Sequence, residues 1–185
     1  DNFGYATASI NGLGSGIYQA QQLYRLNSGV AGSNVNTAQS MLGVGVTLVG
    51  STVYQYEGSF AFTKTAGTTS HSFGLLFGGT ATVNNLFSQS IVSSSANALP
   101  ANGTAFLGAS ASGVTFNVLT GIAAATVTVE VFLKGTISIN SGGTFIPQYQ
   151  LSAAPGGAYT TVAGSYFKIA PIGAAGSNVS IGTWA

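Results

Sequence analysis

Apolar and polar residues alternate with period two through most of the chain, and turn residues separate the alternating stretches, which is the pattern of short antiparallel strands. Over 52–64, Tyr54, Tyr56, Phe60 and Phe62 fall on one side of an extended chain, and Gln55, Glu57, Ser59 and Thr63 on the other. The aromatic side is the predicted core face. A second run over 71–77 follows the turn Thr65-Ala66-Gly67-Thr68-Thr69, so the two runs are expected to pair as a hairpin.

The clearest alternation lies over 126–140, where Val127, Val129, Val131, Leu133, Ile137 and Ile139 oppose Thr128, Glu130, Phe132, Lys134, Thr136 and Ser138. It turns at Ser141-Gly142-Gly143 into 144–152, where Pro147 lacks a backbone donor and predicts an edge strand or a bulge. Shorter strands are expected over 159–162 and 165–169, before Pro171 and a closing segment at 180–184, with weaker ones across 80–119.

Asn11-Gly12-Leu13-Gly14-Ser15-Gly16 reads as flexible, and 37–42 is the one predicted helical turn, too short to stand alone. No repeat or composition break divides the chain. The expected organisation is a flexible connection to a shaft or partner over 1–20, followed over 21–185 by an all-β, antiparallel, jelly-roll-like β-sandwich. At 185 residues a single core of this kind can bury most of the apolar surface. The start, Asp1-Asn2-Phe3-Gly4-Tyr5, has neither Met nor the charged and apolar regions of a signal peptide, and reads as the edge of something longer.

Composition then narrows the function. Only 4% of residues are charged: Arg25, Lys64, Lys134 and Lys168 against Asp1, Glu57 and Glu130. Four scattered cations release too few phosphate counterions to hold nucleic acid or an anionic membrane, and no run approaches the ~20 apolar residues of a spanning helix. A charge-poor surface rich in Gly and aromatics suits one partly covered by sister chains. The chain has no cysteine, which excludes disulfides, thiolate metal sites and thiol nucleophiles.

Candidate chemistry is sparse. Glu57 and Glu130 lie in predicted strands, where a cross-strand pairing with Lys64, Lys134 or Lys168 is the expected role. His71 stands alone with no acidic orienter nearby in sequence, and reads as a turn-edge residue bonded to backbone. Gly12, Gly14 and Gly16 lack the spacing of a phosphate loop. The expectation is therefore no catalytic residue, no metal and no cofactor. Tyr18, Tyr24, Tyr149 and Tyr159 lie outside the clearest aromatic stripe and remain as candidates for receptor contact or for packing at a subunit interface, since tyrosine joins a flat apolar ring to a hydroxyl.

Several segments share a further likeness. Tyr24-Arg25-Leu26-Asn27, Gly43-Val44-Gly45-Val46-Thr47-Leu48, Phe77-Gly78-Gly79-Thr80-Ala81-Thr82, Gly142-Gly143-Thr144-Phe145-Ile146-Pro147-Gln148, Leu151-Ser152-Ala153-Ala154-Pro155-Gly156-Gly157-Ala158 and Gly182-Thr183-Trp184 together resemble a C-terminal domain recurring in bacteriophage tail-fibre-like virion proteins. The resemblance spans about 18–185 and carries no catalytic motif. It implies a globular head after a repetitive shaft, a homotrimer, contact with other virion proteins and with host cell-surface polysaccharide or protein, and a place on the virion surface. A capsid decoration or head-fibre protein, and more remotely a polysaccharide depolymerase, are the alternatives. Residues 84–120 are the least similar and are where a host-specific loop is expected.

Overall fold

The computed structural model describes residues 21–95, 106–109, 114–176, 178 and 183, and among these there is no helix. The expected connection over 1–20, with Tyr18, lies outside the described residues, as does most of the closing segment. The described residues form thirteen strands: β1 (Gln22–Arg25), β2 (Val30–Ala31), β3 (Gln39–Ser40), β4 (Val46–Leu48), β5 (Thr52–Lys64), β6 (His71–Gly78), β7 (Val83–Ser94), β8 (Phe106–Ala109), β9 (Phe116–Ile122), β10 (Val127–Ile139), β11 (Gly143–Leu151), β12 (Thr160–Thr161) and β13 (Tyr166–Ala174).

They form two packed antiparallel sheets. The larger runs β1-β13-β5-β10-β7-β8, with β12 joining β5 to β2, and the smaller runs β3-β11-β6-β9, with β4 also on β11. The orders β1-β13-β5-β10 and β3-β11-β6-β9 are those of an eight-stranded jelly roll, in which the chain passes repeatedly from one sheet to the other. The pair β7–β8, inserted between β6 and β9, extends the larger sheet beyond β10.

The two long alternations hold the centre. β5 and β10 pair in unbroken register from Val127↔Lys64 to Ile139↔Thr52, with both apolar stripes turned inward. Aromatic rings link the layers: Phe62 of β5 lies 5.1 Å from Phe73 of β6 and 5.3 Å from Tyr149 of β11, and Tyr56 of β5 lies 5.4 Å from Phe77 of β6. Such contacts add about 0.5–1.5 kcal/mol each beyond the area they bury.

Four expectations are corrected. β5 and β6 do not form a hairpin: they lie in different sheets, so their aromatic faces bury each other across the sandwich. The segment 37–42 is not helical; Gln39 and Ser40 form β3, and Met41 and Leu42 enter the core. β11 is an interior strand, yet its outer neighbour is broken, β4 pairing as far as Phe145 and β3 from Gln148. Pro147 sits in that gap, and its carbonyl accepts from the Met41 N–H at 3.0 Å, so its missing donor faces the interruption. Finally, the strand expected over 165–169 continues to Ala174, with Pro171 inside it at a shift of register; strands expected over 80–119 are present there, and one of them, β7, is twelve residues long.

Candidate functional site

One polar cluster is buried where β5 leaves the larger sheet. The alternation that turns Phe60 and Phe62 inward also turns Lys64 inward, and its side chain is 1% exposed. Its ammonium donates to the carbonyls of Ala66 at 3.0 Å, Gly67 at 2.6 Å and Ala124 at 2.8 Å, which satisfies its three donors. Gly67 has φ of 82°, and a Cβ there would strike the backbone of Pro155 and Gly156, so glycine alone presents this carbonyl. Burial lowers the Lys64 pKa from its ordinary value. The expected pairing of Lys64 with a glutamate is thus replaced by a cage of carbonyls.

His71 completes the cluster. Its Nδ1 lies 2.7 Å from the Thr69 carbonyl, which can only accept, so Nδ1 carries the proton; Nε2 then accepts from the Tyr159 hydroxyl at 2.8 Å. The expected backbone bond is there, but the residue is buried rather than at an edge. Burial lowers its pKa, the Thr69 bond opposes this, and the nearby Lys64 charge adds to the lowering. Burial likewise raises the hydroxyl pKa of Tyr159, and pushes that of Tyr149 up to about 12.

These placements correct two of the candidate receptor residues. Tyr149 and Tyr159 are 1% and 0% exposed and belong to the core, because both rings fill the aromatic layer around Phe73. Tyr24, on the edge strand β1, is exposed.

The outer face of the larger sheet presents the accessible polar groups. Strand register aligns them in rows: Lys168, Glu57, Lys134 and Gln89 cross β13, β5, β10 and β7, with Ala170, Gln55, Thr136 and Phe87 in the next row and Tyr166, Ser59, Phe132 and Ile91 on the other side. Lys168 Nζ is 3.0 Å from Glu57 Oε1, and the Tyr166 hydroxyl donates to the same oxygen at 3.0 Å. These two bonds, Lys168 first, hold Glu57 below the usual carboxylate range, with Lys134 adding its charge. Gln55, Glu57, Lys134 and Lys168 border a shallow groove of about 200 Å³. Glu130 meets no lysine and accepts instead from the Ser93 hydroxyl at 3.2 Å.

β7 carries a feature that sequence reasoning missed. Its inward residues include Ser88 and Ser90, both 0% exposed, while Phe87 and Ile91 point outward at 51% and 60%. Over 83–94 both alternating sets mix apolar and hydroxyl residues, so periodicity assigns neither to the core. The Lys64 position, by contrast, was readable from its even place in the aromatic stripe.

Fold and surface define an all-β jelly-roll domain that exposes the polar outer face of its larger sheet. Among the described residues no three His, Asp or Glu side chains come together. No protein-family model matches the chain, and no curated protein matches it. Among solved structures it is similar to the infectious bursal disease virus Gx strain structure, at 13% identity and a TM-score of 0.19, over 83% of this chain and 40% of that one. It is also similar to the VP2 subviral particle of that virus, at 12% identity and a TM-score of 0.18, over 83% and 42%. The chain thus spans about two fifths of the structures it matches, and overlaps of this size carry no argument about its role.

Proposed function

We propose that this chain is a structural protein of the bacteriophage virion, the terminal head domain of a tail-fibre-like protein that attaches the particle to a host surface. In this reading it is trimeric, stands on the outside of the virion and takes no cofactor. The observation that carries it is the outer sheet face, where amides, hydroxyls and opposite charges at Gln55, Glu57, Lys134, Lys168 and Gln89 lie beside the rings of Tyr166 and Phe132. Groups of this kind bind sugar hydroxyls and ring faces, and strands hold them more rigidly than loops do.

The reading assigns binding and no catalytic step. Glu57 stands opposite Lys134, and Glu130 is four residues further along β10. Four residues of strand span about 13 Å. Paired glycosidase carboxylates stand ~5–9.5 Å apart, so the spacing speaks against a depolymerase. Exposed Phe87 and Ile91 favour a second reading, a capsid decoration protein whose apolar edge packs into a lattice.

Labelled protein applied to an array of bacterial surface polysaccharides, to whole bacterial cells and to purified capsids separates these readings. Binding to a subset of polysaccharides or cells, lost in a Gln55→Ala, Lys168→Ala variant, supports attachment. Binding to capsids alone overturns it in favour of decoration.

A further inference from the structure

The geometry points to a saccharide subsite on the outer face of the larger sheet, centred on Glu130 and Phe132 and selective for a neutral sugar over an acidic one. The inference deepens the attachment reading above and rests on it for the expectation that this face meets polysaccharide. The subsite lies beyond the groove of Gln55 and Lys168, on the other side of Phe132.

Strand register builds the site. Phe132 of β10 stands between Ser59 of β5 and Ile91 of β7, and Glu130, two residues earlier on the same face, stands between Ala61 and Ser93. Ser59, Ala61 and Ser93 are short, whereas Phe132 and Ile91 are 37% and 60% exposed, and these six residues border a concavity of about 360 Å³. That volume falls within the ~300–1,000 Å³ of small-ligand sites. Two residues of strand span about 7 Å, close to the breadth of one pyranose, so a single sugar ring lying in the hollow reaches both the carboxylate and the phenyl ring.

Glu130 selects the ligand. Glu57 is held by Lys168 and by the Tyr166 hydroxyl, but among the described residues Glu130 meets no cation and accepts from the Ser93 hydroxyl at 3.2 Å. A carboxylate has lone pairs to spare and no donor, so its ligand must donate. Neighbouring hydroxyls of a sugar do so through charge-assisted bonds, while the C–H groups of the ring pack on Phe132 and Ile91. An ammonium would satisfy the carboxylate yet offers no acceptor to the Ser59 hydroxyl, whereas a sugar hydroxyl both donates and accepts. An acidic sugar would bring a like charge to Glu130, and Lys134, the cation further along β10, is four residues or about 13 Å away. Like charges brought together in a binding site reject the wrong ligand.

Amide NMR titration of the whole chain tests this with the methyl glycosides of glucose, galactose and mannose, with glucuronic acid and with protonated glucosamine. At least one neutral glycoside is expected to shift the signals of Ser59, Ala61, Ile91 and Ser93 with a Kd of ~1–10 mM, and glucuronic acid to bind at least ~10-fold more weakly. Glu130→Gln is expected to narrow that preference to within ~3-fold, because the like charge is gone. Phe132→Ala is expected to lose the shifts, and Ile91→Ser, at a more exposed position, carries the test should Phe132→Ala fail to fold. No shift with any neutral glycoside, equal binding of glucuronic acid, binding of glucosamine alone, or a Glu130→Gln variant that keeps the full preference overturns the proposal. Polysaccharide binding on the array without these shifts overturns the subsite and leaves attachment standing; these shifts with binding to capsids alone do the reverse.

Discussion

His71 Nε2 lies 2.8 Å from the hydroxyl oxygen of Tyr159, a residue 88 positions further along the chain. The bond ties β6 of the smaller sheet to the segment that leads into β12 of the larger. With the Lys64 ammonium 6.0 Å from the centre of the Tyr159 ring, it also sets a neutral imidazole beside a buried cation.

Acid should weaken this corner first. Burial holds His71 below the ordinary imidazole value, so the unfolded chain takes up the proton at a higher pH than the folded one. The histidine's share of stability is complete above about pH 6.5 and is lost as pH falls through that value towards the lower folded one. Thermal melts should show Tm falling between pH 7.5 and 5.5, a window in which Glu57 stays ionised. His71→Gln should flatten that slope, and an unchanged slope would contradict the account.

Tyr159→Phe keeps the ring in the core and removes the hydroxyl, leaving the buried Nε2 without a donor. The expected loss is about 1–3 kcal/mol. At ~2–4 °C per kcal/mol for a domain of this size, a fall in Tm of a few degrees should be visible by calorimetry.

Lys64→Met preserves the length of the side chain and deprives the carbonyls of Ala66, Gly67 and Ala124 of their common donor. Urea unfolding should show a loss of about 2–4 kcal/mol, because buried acceptors left unmade cost more than the net gain of making them. A variant as stable as the wild type would mean that the cage is open to water.

Gly135→Ala tests why the inward stripe of β10 is interrupted. The Tyr56 phenol lies across Gly135 and donates to the Phe87 carbonyl at 3.1 Å, and an added Cβ would meet the Tyr56 oxygen at 2.5 Å. Overpacking here should cost about 1–3 kcal/mol by the same urea measurement. Tyr56→Phe, Gly135→Ala together should lose less than the sum of the single changes, since both act on one bond.

Ser90→Ala should move stability the other way. The Ser90 hydroxyl is buried with no hydrogen-bond partner among the described residues. Removing it deletes an unmet polar group and should stabilise the domain by about 1 kcal/mol, read as a rise in the urea midpoint.

The sequence by itself determined the strands with one mainly apolar face. In β5 and β10 the inward residues, apart from Gly58, Gly135 and Lys64, are aromatic or aliphatic and the outward ones, apart from Val53, Ala61 and Phe132, polar, and a period of two then leaves a single way to bury the chain. The same alternation placed Lys64 beside Phe62, although what receives a buried ammonium was decided by the distant loop carbonyl of Ala124. Tertiary structure alone decided that β5 and β6 face each other across the layers, since a short turn can close a hairpin or cross a sandwich, and only the mutual burial of Phe62 and Phe73 selects the crossing. It alone set Tyr149 and Tyr159 in the core and Phe87 and Ile91 outside. Local pattern cannot rank two faces of similar polarity, and the choice is made by which of them the opposite sheet covers.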